Sequence, residues 1–116
     1  MIIELPFLAP SINQCYYTDK NSFTRHKSKV YRDFLTRCQY FIKTPEKPFI
    51  EEIEVEINLW VPDKRRRDID NQIKPILDML VFFKVIQDDS LIQKLHVEKY
   101  YRKGDPETVI QIKSTP

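Results

Sequence analysis

An α+β domain is the architecture this sequence predicts, and three features predict it. Residues 53–61 alternate strictly, with Ile53, Val55, Ile57, Leu59 and Val61 on one side and Glu54, Glu56, Asn58 and Trp60 on the other. That is the pattern of a strand buried on one face. Two further stretches, 28–42 and 69–80, carry apolar residues at helical spacing. The chain then closes on two strand-like runs joined by Lys103-Gly104-Asp105-Pro106, a turn composition. The predicted order is β-α-β-α-β-β, a mixed sheet of about four strands with two helices packed on one face.

The chain of 116 residues has room for one hydrophobic core, so a single domain over residues 1–116 is expected. A chain this short buries a modest fraction of its surface, and a homodimer would add apolar contact. The net charge of +2 argues little for a nucleic-acid partner by itself. Its distribution argues more. Lys64 to Arg67 form one dense block and Lys20, Arg25, Lys27 and Lys29 a second, while Glu51, Glu52, Glu54 and Glu56 draw the total back toward zero. Cys15 and Cys38 make neither a disulfide framework nor a zinc-ligand set. No signal-peptide pattern opens the chain, and no apolar run approaches the ~20 residues of a membrane span. A reduced, cytoplasmic protein is expected.

Ile2 to Leu8 read as a short extended segment that Pro6 confines to a sheet edge or ends early. Residues 10–29 are polar, aromatic and lysine-rich and read as a loop. Its tyrosines, Tyr16 and Tyr17, either stack on bases or anchor the loop to the core. Ser28 is the expected N-cap of a helix whose apolar residues are Val30, Phe34, Cys38, Phe41 and Ile42, and Thr44 to Pro48 stop it. After the 53–61 strand, Ile69, Ile73, Ile76, Leu77 and Leu80 mark a second amphipathic helix. Pro75 is best tolerated in a first turn, which predicts a helix starting no earlier than Asn71, with Asp70 or Asn71 as the cap. The helix runs out near Phe83-Lys84, Gln87 to Ser90 form a polar corner, and strands follow over 91–101 and 108–113.

Chemistry concentrates between the central strand and the second helix. If Asp68 and Asp70 lie in extended chain they project to the same side, presenting two carboxylates to one point. A hard divalent cation relieves the repulsion between such a pair. Magnesium takes one or two protein carboxylates and leaves room for water and a substrate phosphate, as phosphodiester hydrolysis requires. Lys64, Arg65, Arg66 and Arg67 run directly into that pair and suit the phosphate. Asp88 and Asp89 supply a third carboxylate or serve as turn residues. Asp89 reaches the pair only if the next strand runs back along the sheet, or if a second subunit supplies it. Lys74 lies one helical turn past Asp70, where it either offsets charge on a transferring phosphoryl group or pairs with Asp70 or Asp78 on the helix surface.

These residues carry a resemblance. Pro62-Asp63-Lys64-Arg65-Arg66-Arg67-Asp68-Ile69-Asp70-Asn71, followed by Lys74, Asp78 and Asp88-Asp89, resembles the RusA family of Holliday junction resolvases. Pro10-Ser11-Ile12-Asn13, Tyr16-Tyr17 and Tyr31-Arg32 resemble that family too, so the likeness covers most of the chain. The resemblance implies a small homodimeric endonuclease, of phage or prophage origin, that cuts four-way DNA junctions with Mg²⁺ or Mn²⁺. It implies Asp68, Asp70 and Asp89 as metal-binding catalytic aspartates and Lys74 as an essential lysine. Lys64 to Arg67 become the DNA-contacting stretch, with Asn13 and Asn71 beside it. A twofold dimer would offer two equivalent sites for the paired nicks a junction needs. Pro75 directly after Lys74 and the low net charge depart from that picture. A less selective nuclease acting on flaps or branched ends, and a non-catalytic nucleic-acid-binding protein, are the alternative readings.

Overall fold

A computed structural model describes residues 1–116. Six strands and three α-helices follow in the order β1 (Ile2–Leu5), α1 (Ile12–Cys15), β2 (Tyr16–Thr18), β3 (Arg25–Lys27), α2 (Lys29–Cys38), β4 (Ile53–Val61), α3 (Ile69–Phe82), β5 (Ile92–Tyr101) and β6 (Glu107–Ser114). A mixed four-stranded sheet runs β1-β6-β4-β5. Its centre is β4, antiparallel to β6 and parallel to β5. The odd-numbered side chains of β4 are all buried, as their alternation predicts, and Ile53, Val55, Ile57 and Leu59 share one apolar cluster with Phe34 and Leu35 of α2 and Ile76, Met79 and Leu80 of α3. Burial of that cluster is the main force holding helices to sheet.

The β4–α3–β5 crossover positions the site. Parallel neighbours need a connection that returns the chain to the starting edge, and α3 supplies it. Because Ile53 is in register with Ile92, the corner before β5 lies at the end of the sheet where β4 begins. The basic stretch leaves from the end where β4 finishes. Lys84, in the left-handed region at φ 58°, ends the helix and turns the chain into that corner. A 3₁₀ turn, Asp89–Leu91, completes it, with the Ser90 hydroxyl donating to Asp88. Pro6 follows directly on β1, which is indeed an edge strand.

Three expectations need correction. Residues 10–29 hold a short helix and the β2–β3 ribbon, with Tyr16 opposite Lys27. An Asx turn closes the ribbon, Asn21 N–H donating to Asp19 Oδ1 at 2.8 Å. Helix α2 ends at Cys38, short of Ile42, in a series of tightened turns that still leave Ile42 buried. Helix α3 begins at Ile69, with Asp68 as its N-cap and Asp70 already helical, so Pro75 sits in the helix interior. Tertiary burial overrides the proline's local preference. Pro75 is buried, and its carbonyl accepts a hydrogen bond from Tyr31 Oη at 2.8 Å.

Candidate nucleic-acid and phosphoryl-transfer site

Lys74 is the centre of a charged network built by three elements. Its ammonium lies 3.0 Å from Asp78 Oδ1, one turn further along α3, and 2.8 Å from Asp89 Oδ2 in the corner. Asp78 is held from its other side, because Tyr16 Oη donates to Asp78 Oδ2 at 2.7 Å. The Arg25 guanidinium covers the Tyr16 ring at 3.9 Å, a cation–π contact within the ribbon, and the Tyr16–Asp78 bond is what ties the ribbon to α3. Hydrogen bonds donated to Asp89 and Asp78 push the Lys74 ammonium well above the usual lysine range. Burial and the bond to Asp78 push Tyr16 up to about 12. Lys74 is therefore a permanent cation and Tyr16 a permanent donor near neutral pH.

Asp68 and Asp70 do not project together as extended chain would have them. Asp68 keeps extended backbone (φ −81°, ψ 128°) but makes no capping bond through its side chain, and Asp70 stands in the first helical turn. Residues two apart on a helix point in different directions. Asp68 instead approaches Arg66 Nε at 3.7 Å. Asp70 is exposed in the first turn of the helix, and the Lys74 ammonium pairs instead with Asp78 and Asp89. No three acidic, histidine or cysteine side chains gather closely enough to enclose a metal ion. The donors nevertheless fit an oxygen-seeking divalent ion in kind, since every one is a carboxylate and such an ion needs only one or two of them.

The basic stretch divides into one structural and three outward-facing cations. Arg67 donates to Asp63 Oδ1 at 2.8 Å, its side chain is only 11% exposed, and its carbonyl accepts from Lys99 Nζ at 2.6 Å. The same bond from Arg67 holds the Asp63 carboxyl below the usual carboxylate range. Lys64 lies 5.5 Å from the Tyr101 ring, while the Arg66 side chain is 90% exposed. Arg65, Arg66, Asp68 and Asn71 line one cavity, and Lys74, Asp78 and Asp89 line another with Tyr16 and Arg25. Asn13 is exposed on α1, apart from both linings. Sequence reasoning gave Asp78 only a helix-surface role and left Tyr16 open between DNA contact and core anchor. Spacing cannot show that the two touch across 62 residues.

The profile of the family described as Endodeoxyribonuclease RusA matches residues 8–113, nearly the whole chain. The chain belongs to the RusA family. It is also 40% identical over 62 residues to the crossover junction endodeoxyribonuclease RusA of Aquifex aeolicus (strain VF5). That alignment covers 53% of this chain and spans about half the length of the relative, 49%. The RusA profile takes in every residue singled out above, from Asn13 to Asp89. No helix of this RusA-family chain is long and apolar enough to cross a membrane.

Proposed function

We propose that this RusA-family protein is a metal-dependent, structure-specific endodeoxyribonuclease that resolves four-way DNA junctions by paired, symmetric cuts and works as a cytoplasmic homodimer. One observation carries the reading: the Lys74–Asp89 contact joins the two separated halves of the motif, in a cavity that Tyr16 and Arg25 also line.

In this reading Lys64, Arg65 and Arg66 grip the phosphate backbone, with Asn71, and Asn13 on α1, as further polar contacts. Asp70, Asp89 and Asp68 are the carboxylates among which one or two would hold Mg²⁺, or Mn²⁺ in its place. When bound, the ion supplies a more acidic water and Lewis-acid polarisation of the phosphoryl oxygen. Lys74, locked in its charged form, offsets negative charge that builds on the phosphoryl group under attack. Asp78 and Tyr16 hold that ammonium in place. Hydrolysis joins a water oxygen to phosphorus, breaks one P–O ester bond and leaves a proton on the departing alkoxide.

The test is cleavage of a synthetic four-way junction, with linear duplex and flapped DNA as controls, each with and without Mg²⁺. Paired nicks confined to the junction and dependent on the ion are expected. Equal cutting of flaps would return the less selective nuclease, and binding without cutting would return the non-catalytic DNA-binding protein.

A further inference from the structure

The turn at the tip of the β2–β3 ribbon carries a side chain that the fold does not use. Phe23 is 83% exposed, more than any other large hydrophobic residue of the chain. Its backbone stands in the left-handed region at φ 54°, a conformation that suits glycine and strains a bulky residue. Hydrogen bonds hold the turn in that shape. Asp19 N–H donates to the Thr24 carbonyl at 2.9 Å, and Phe23 N–H donates to the Asp19 carbonyl at 2.7 Å. So exposed a ring gains almost nothing from packing, and nothing in the monomer offsets the strain. Strain kept at an exposed position points to a role outside the monomer.

The surroundings of the ring select its partner. Lys20 in the turn and Arg25, His26 and Lys27 on β3 are all exposed, while the ribbon's one acid, Asp19, is occupied in closing the turn. A cationic arm with an aromatic tip fits a polyanion whose flat faces can stack. It does not fit a second copy of the same arm, which its charge repels. The root of the arm is fixed to the candidate site, since Tyr16 bonds Asp78, the partner of Lys74. From Tyr16 to Asp19 the chain rises ~10 Å at ~3.3 Å per residue. That is about three base steps at the ~3.4 Å spacing of a DNA strand. Inside a duplex every base face is already covered by its neighbours. A branch point interrupts the stack and leaves a face open.

We propose that Phe23 is a stacking residue for the branch point of the DNA. Its ring covers the base face left open where the helices part, while Lys20, Arg25 and Lys27 hold the flanking phosphates. The inference rests on the reading of the protein as a junction-acting enzyme. To that reading it adds an element that tells a branched helix from a continuous one.

The experiment uses the full chain, one immobile four-way junction and a linear duplex with the sequence of its arms. Phe23→Asn removes the ring and supplies a residue at ease in the left-handed region, so the melting temperature should be unchanged or raised. Its junction affinity should fall about tenfold, the scale of one lost base stack, while duplex affinity stays within about twofold of wild type. Phe23→Leu, apolar but without a π-face, should fall with it. Phe23→Trp should bind the junction as wild type does, and the introduced indole should be quenched by the junction and not by the duplex, against the wild-type baseline from Trp60. Equal junction affinity of wild type and Phe23→Asn overturns the proposal. So does an equal loss on junction and duplex, which makes the ring a general DNA contact. A change in sedimentation of Phe23→Asn with DNA binding untouched also overturns it, by seating the ring against a second copy. Wild type that neither binds nor cuts a junction removes the parent reading, and the stacking role with it.

Discussion

Lys74 Nζ lies 2.8 Å from Asp89 Oδ2, although 15 residues separate the two along the chain. The same ammonium is 3.0 Å from Asp78. One cation thus holds two carboxylates that would otherwise repel, and it ties the corner before β5 to the flank of α3. A lysine so engaged is oriented before any substrate arrives, and orientation is where much of the rate of phosphoryl transfer originates.

Replacing that cation tests the arrangement. Lys74→Met should lower the cutting rate about a hundredfold or more, the usual scale for losing one electrostatic stabiliser, while junction affinity changes little. Lys74→Arg should recover only part of the rate, because a planar guanidinium does not reproduce the geometry of an ammonium. Single-turnover cleavage beside gel-shift binding separates the two effects. A Lys74→Met protein that cuts at the wild-type rate would remove Lys74 from the chemistry.

The pH response of Lys74 has a defined sign. Its hydrogen bonds to Asp89 and Asp78 raise its value above the ordinary 10.5, so their stabilising effect is fully present below that pH and is lost as pH rises through the folded-state value. Cutting measured from neutral pH to about 10 should show no loss traceable to Lys74, with ordinary lysines titrating near 10.4. Loss of a single proton well below that range, absent in Lys74→Arg, would contradict the ion-paired arrangement.

Asp70→Asn should abolish cutting and leave junction binding intact or tighter, since Asp70 is exposed at the helix start and the change removes negative charge facing phosphate. The check is cleavage and affinity measured on the same preparation. Normal cutting would exclude Asp70 from the metal site.

Arg66 is 90% exposed, and Arg67 is committed to Asp63. Arg66→Ala should therefore weaken binding and lower the salt slope by about one unit of log K per log salt. Arg67→Ala should instead lower the melting temperature, because it frees Asp63 and loosens the stretch that Lys99 holds. Calorimetry and salt titrations of both variants distinguish the roles.

Tyr31 is fully buried, and its hydroxyl donates to the carbonyl of Pro75. Tyr31→Phe should cost about 1 kcal/mol of unfolding free energy, the ordinary net value of one such bond. Urea titration measures it directly, and an unchanged midpoint would show that α3 does not need this support beside its proline.

The central strand was legible because one buried face gives a period of two, and both long helices because an apolar stripe gives a period near 3.6. The β2–β3 ribbon was not, since its residues are almost all exposed and no burial alternation marks them. The start of α3 is hidden from the sequence for a related reason. Local chemistry places Pro75 in a first turn, yet packing against α2 and the bond from Tyr31 hold it further inside.

From the residues alone came the ingredients: a cationic run, a carboxylate pair, a lysine and a distant acid, in an order that marks the RusA family. Which of them meet was decided only by the fold. The parallel pairing of β4 with β5 brings Asp89 back alongside α3, and helical geometry at residue 70 turns Asp70 away from Asp68. Local periodicity records which side of an element is buried; it carries no information about what a different element brings to that side.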